Sequence, residues 1–174
     1  ADKGRRASMR GGGSERISRA WAVTLIAVML AWFGITNHVH WEPLNDLSQQ
    51  GDQLPSTLSG FIPFVLAILT ILFVPNFWLV LFWTGYAYVW LMLQVFTWWV
   101  PYLLGSSAEH WSSYSDTLNV LPTLGGRIGP DVQHLVLQIL SLAMAIMLTV
   151  LTSQLWRNRR WRRETAQRAP ARQG

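Results

Sequence analysis

The chain contains no cysteine. That absence excludes disulfides, thiolate metal sites, iron–sulfur ligation and thiol catalysis, and with them any quinone-coupled disulfide chemistry. Charge is scarce as well: 13% of residues are acidic or basic, against 51% hydrophobic. None of the 14 basic and 9 acidic side chains falls within residues 20–41, 57–105 or 132–156. Ion-coupled transport and proton relays need an ionisable group inside a span, so a transporter or pump is disfavoured. A phosphate-binding glycine loop is missing too. Gly125-Gly126-Arg127-Ile128-Gly129 has no βαβ context and reads as a turn before the last helix. Ser106-Ser107 and Ser112-Ser113 lack the elbow of a serine nucleophile.

What is present is apolar surface in excess of what a soluble domain of 174 residues needs. A membrane crossing takes about 20 apolar residues at a rise of about 1.5 Å each. Residues 20–41 and 132–156 each fit one helix, whereas 57–105 is too long for one and about right for two. A turn is expected at Val74-Pro75-Asn76, because proline lacks an N–H and restricts the residue before it. Spans at 57–74 and 75–99 follow, with Pro75 as the first residue of the third helix and Pro63 near the start of the second. Thr84-Gly85 is the rival break. The fold class is therefore all-α, an integral membrane protein with four transmembrane helices.

Orientation comes from the basic residues. Six of the fourteen precede the first span, seven follow the last, and Arg127 alone lies between. Lys and Arg mark cytoplasmic flanks, so both termini are assigned to the cytoplasm of a cell inner membrane. The loops at 42–56 and 106–131 carry six of the nine acidic residues and are expected outside. Residues 1–19 and 157–174 read as basic cytoplasmic tails, the first of them disordered. The chain opens on Ala1 rather than methionine, which leaves processing or a longer parent open. Arg5-Arg6 lacks the short apolar run and cleavage pattern of an export signal, so the first span is read as retained.

Eleven Trp and four Tyr are many for this length. Trp21, Trp41, Trp78, Trp98, Trp99, Tyr102 and Trp156 fall at span ends and suit an aromatic belt in the headgroup layer; stacking on a pigment, quinone or sterol is the sharper alternative. Trp83, Tyr86, Tyr88 and Trp90 sit mid-span, where they should pack on a neighbouring helix or a hydrophobic ligand. In the second tail, Arg157, Arg159, Arg160, Arg162 and Arg163 should contact lipid headgroups. No nucleic-acid-binding fold surrounds them.

All four histidines fall at the outer ends of the spans. His38, His40 and Glu42 would point the same way if extended, and Asp131 or His134 could complete a metal site. Neutral imidazole at His134, His38 or His40 could instead ligate haem or (bacterio)chlorophyll; bound lipid or quinone are the other cofactor candidates. The plain reading is that these side chains bond helix ends, loop backbone or water. His134, Gln138, Ser141 and Ala145 form one stripe at helical spacing, suited to helix packing, as does Ala27-x-x-x-Ala31.

Trp98-Trp99-Val100-Pro101-Tyr102 with Gly105, then Leu121-Pro122, a glycine-rich turn, Pro130 and His134 at the head of an apolar helix, resembles uncharacterised small bacterial proteins with several membrane spans. The resemblance covers roughly residues 60–155. It implies the four-helix architecture and no established activity.

Two functions remain. One is a non-catalytic subunit of a larger membrane assembly, of a photosynthetic or respiratory kind, packing on partner subunits, lipids or pigments. The other is a membrane enzyme or binding protein whose outer His/Asp/Glu group acts on a lipid-soluble substrate through metal or general-base chemistry.

Overall fold

The computed structural model describes the backbone of residues 2–44, 46–48, 50–105, 117–125 and 127–168 and, within these ranges, the side chains of residues 13–167. Four helices follow one another: α1 (Asp2–His38), α2 (Leu54–Phe73), α3 (Phe77–Leu104) and α4 (Val132–Arg168). Each contains a stretch long and apolar enough to cross a membrane. The described residues contain no β-strand, only two isolated bridges, Asn119 with Asp131 and Leu124 with Arg127.

The break between α2 and α3 lies where proline demands it, but Pro75 does not open α3. Asn76 does, because its side chain can accept a hydrogen bond from the Trp78 N–H at 2.8 Å and proline has no such acceptor. The second span also starts earlier than expected, at Leu54, with Pro55 in its first turn. Tail and span are not separate units at either end. The helix runs from Asp2 through the stretch expected to be disordered, and α4 continues to Arg168. An existing helix propagates at little cost where a new one would be costly to nucleate.

Backbones approach one another around a ring: α1 against α2 and α4, α3 against α4, and α2 more sparsely against α3. Buried positions on α2 are Thr57, Gly60, Phe64, Ala67 and Ile71, an alternation of three and four residues. On α4 the buried Gln138, Ser141, Ala145, Leu148, Thr152 and Leu155 alternate likewise. That spacing keeps one stripe turned inward along nearly antiparallel neighbours. Small residues let the backbones close up. A Cβ on Gly60 would lie 2.6 Å from the Phe33 ring, and that ring also meets Trp90 edge-on at 6.0 Å across the bundle.

The α4 stripe is therefore a packing stripe, as expected. Ala27 and Ala31 take no part in packing within the chain: both are exposed, and α1 packs through Ala22, Ile26, Met29 and Leu30. The mid-span aromatics all engage neighbouring helices. Trp83 Nε1 donates to Thr70 Oγ1 at 3.0 Å, Tyr86 and Trp90 each meet Phe64 at 5.5 Å, and the Tyr88 hydroxyl lies 3.2 Å from Thr149 Oγ1.

The two ends of the bundle differ. At one, here the turn end, the α2–α3 turn meets both charged flanks. Gln154 Nε2 donates to Ser14 Oγ at 3.1 Å and Asn158 Nδ2 to Glu15 at 2.6 Å, while Glu15 pairs with Arg19. At the other, the loop end, the long connections cover the helix ends. Gly105 takes φ +84° to finish α3, and Arg127 donates to the carbonyls of Tyr102 and Leu103 at 3.3 Å. The lone basic residue between the spans thus satisfies the C-terminus of α3.

Candidate functional site

The loop end contains the chemistry-bearing residues. Asp131 precedes α4 as its N-cap, a position that favours a short carboxylate, and it is fully buried. Its Oδ1 accepts from the His134 backbone N–H at 2.8 Å and lies 2.7 Å from His134 Nδ1. Its Oδ2 accepts from Gln133 Nε2 at 3.3 Å. Loop backbone holds the cap in place: Val120 N–H donates to Pro130 and Val132 N–H to Leu118, both at 2.9 Å. Trp32 Nε1 reaches across from α1 to the Gln133 carbonyl at 3.0 Å.

The His134 imidazole lies against Trp98, ring centroids 3.9 Å apart. This corrects the belt assignment for Trp98 and Tyr102. Trp98 and Tyr102 are buried, and Trp99 Nε1 donates to Gln138 Oε1 at 2.8 Å while the Tyr102 hydroxyl donates to the Pro122 carbonyl at 3.0 Å. Trp21, Trp41, Trp78 and Trp156 do remain exposed. Below His134 the polar column continues through Gln94 Nε2 to Ser141 Oγ at 3.0 Å. Gln133 Oε1, Gln138 Nε2 and Gln94 Oε1 are buried atoms in this column with no protein partner.

The expected set of His38, His40, Glu42 and Asp131 does not come together. His38 Nε2 lies 3.0 Å from Thr57 Oγ1, which also accepts from Asn37 Nδ2 at 2.9 Å, so His38 joins the end of α1 to the start of α2. Asp131 is taken up by His134. His40 and Glu42 do meet, Nε2 to Oε1 at 3.3 Å, and the third member is Asp46, 3.6 Å from His40 Nδ1. One donor atom from each lies within 4.8 Å of the others, the one such group of three among the described residues. Leu47 N–H donates to His40 Nδ1 at 3.2 Å, which leaves Nε2 to face Glu42. The Ser48 backbone N–H at 2.8 Å, then the Ser48 hydroxyl, hold the Asp46 carboxyl below the ordinary aspartate value against the opposing effect of desolvation, with His40 the least of the contributions. His110 lies outside the described residues.

Imidazole with two carboxylates is a donor set for a divalent cation of the zinc type. The group stands at the surface, with His40 49% and Glu42 73% exposed. Asp46 was missed because nothing in residue spacing signals that the Asp46–Ser48 turn brings it back to His40.

At the turn end the arginines divide. Arg160 pairs with Glu164 at 2.9 Å. Arg159 stacks over Trp78 and Phe77, 5.4 and 5.9 Å from the ring centroids. Arg162 and Arg163 line a groove with Arg19 and the Pro75-Asn76 turn, whereas Arg157 lines a neighbouring one with Thr149, Ser153 and Trp156.

Comparison with protein-family models, with curated proteins and with solved structures finds no match to this chain.

Proposed function

We propose that this protein is a non-catalytic subunit of a bacterial inner membrane assembly, with both termini and the α2–α3 turn in the cytoplasm. The observation that carries this reading is the outer face of α3. Of its most apolar stretch 17% is buried against the chain, compared with 44% for α4. Trp78, Phe82, Gly85, Val89, Met92 and Phe96 are exposed and follow one another at alternating steps of four and three. Bulky side chains flank a notch at Gly85, where an added Cβ meets nothing within 4 Å. Knobs and a hole at this spacing suit a partner helix. The histidines support the same reading: His38 and His134 bond helix ends.

Orientation rests on the arginine and lysine distribution. Site-specific photocrosslinking in native membranes tests the reading. A photoreactive residue at Phe82 or Val89 should give one discrete protein adduct, suppressed by Gly85→Leu. Labelling of lipid alone from both positions would contradict it.

A second reading is favoured by the His40, Glu42 and Asp46 group: a divalent-cation site on the outer loop of a membrane enzyme or binding protein. Calorimetric titration with zinc tests it, with saturable binding abolished by His40→Ala as the supporting outcome.

A further inference from the structure

The turn end holds a groove of about 590 Å³ between the start of α3 and the charged flanks of α1 and α4. Four guanidinium groups line it, those of Arg19, Arg159, Arg162 and Arg163, against one carboxylate, Glu15. Glu15 is already engaged by Arg19 and Asn158. The groove therefore carries a surplus of three positive charges. Arg19 Nε is buried with no protein partner. Phe77 and Trp78 form an apolar wall, and the Arg159 guanidinium carbon lies over both rings, 5.9 and 5.4 Å from their centroids. The first N–H groups of α3 add the positive end of a 28-residue helix to the same rim.

We propose that this groove is a built binding site for the phosphate-bearing headgroup of an anionic phospholipid. Arginine presents several N–H donors in a fixed fork that matches phosphate oxygens. A scattered basic tail would attract anionic lipid as a diffuse field. Here instead the cations converge on one cavity from two segments far apart in sequence, Arg19 on α1 and Arg159, Arg162 and Arg163 on α4, with the start of α3 closing the third side. The choice of a lipid over a free phosphate rests on what adjoins the cavity. Phe73, Val74 and Trp78 are 74%, 57% and 58% exposed around the same turn, so the cationic pocket opens onto apolar surface that acyl chains would cover. A soluble anion would gain nothing from that continuity. The inference requires only that the helices cross a bilayer, and it stands or falls separately from any partner of α3.

The full chain, purified in mild detergent, can be titrated with phosphatidylglycerol, with phosphatidylcholine, and with inorganic phosphate, reading Tm and native mass spectra. Phosphatidylglycerol should raise Tm and give a discrete bound stoichiometry, while phosphatidylcholine and phosphate should not. With about 1 kcal/mol per basic residue at a membrane surface, removing two converging arginines by Arg159→Gln with Arg162→Gln should weaken apparent affinity about tenfold or more. Arg157→Gln with Arg160→Gln removes the same charge outside the groove and should leave affinity within about twofold. Arg162→Gln alone spares the stacked Arg159 and should weaken binding about threefold to fivefold, so a misfolded double variant does not protect the proposal. Equal losses in the two double variants, equal effects of the two lipids, or a full Tm shift from phosphate alone would each overturn it.

Discussion

The carboxylate of Asp131, buried completely, lies 2.7 Å from His134 Nδ1 and accepts the backbone N–H of the same histidine at 2.8 Å. One oxygen thus caps α4 and fixes the ring that rests on Trp98. The cap joins the last helix to the loop segment at Leu118–Val120 and, through Gln133, to Trp32 on α1. The loop end is organised around this residue.

Asp131→Ala should therefore lower stability by about 2 kcal/mol, the upper part of the range for losing a helix N-cap. Asp131→Asn keeps an acceptor for the His134 N–H and should lose roughly half as much. Reversible unfolding in mixed detergent and SDS micelles checks both; an Ala variant as stable as the parent would show that the cap contributes nothing.

Thr84 Oγ1 and Thr152 Oγ1 lie 2.8 Å apart in the buried α3–α4 contact, and Thr84 also reaches the Val80 carbonyl at 2.8 Å. A double-mutant cycle with Thr84→Val and Thr152→Val should give a coupling of about 0.6–1.7 kcal/mol, as for other interhelical hydrogen bonds in membrane bundles. Additive single effects would mean that the pair does not interact.

Gly60 and Gly85 should respond oppositely to alanine. At Gly60 the new methyl meets Phe33, wedged between Phe61 and Trp90, so Gly60→Ala should destabilise by about 1–3 kcal/mol. At Gly85 the space is open, and Gly85→Ala should stabilise the isolated chain by about 0.5–1 kcal/mol through helix propensity. Thermal unfolding of the two variants side by side reads the difference.

Asp46 has a pKa depressed from 3.8 in the folded loop. A carboxylate of this kind favours the folded loop above its unfolded value, and that contribution is lost as pH falls through the lower folded value. Carboxyl-carbon NMR should place its midpoint below 3.8, and Ser48→Ala should move it upward without fully restoring it, because the backbone N–H remains. A parent midpoint at or above 3.8 would contradict the hydrogen-bond assignment.

Four apolar runs and the Pro75 turn were legible because chain length against bilayer thickness and the missing proline N–H act locally. The choice of face was less so. α3 is apolar on all sides, so periodicity could not tell that Trp98 and Tyr102 turn inward while Trp78 turns out; an amphipathic ring at a span end suits either place. Ala27 and Ala31 have packing spacing, but neighbours with larger buried surface, Ile26 and Met29, set the rotation of α1. The histidine site failed for a similar reason. Extension of residues 38–42 would have aligned three ligands, yet α1 runs through His38, and the chain then turns. Asp46 reaches His40 through loop geometry that spacing does not encode.

The central claim is four crossings with both charged flanks and the α2–α3 turn on the cytoplasmic side. Because the chain lacks cysteine, single substitutions Ser14→Cys, Ser48→Cys, Val74→Cys, Thr123→Cys and Thr165→Cys can be labelled without background by a membrane-impermeant maleimide on intact spheroplasts. Positions 48 and 123 should label at once, and 14, 74 and 165 only after permeabilisation. Labelling of 14 and 165 from opposite sides, or of 74 from outside, would contradict the account.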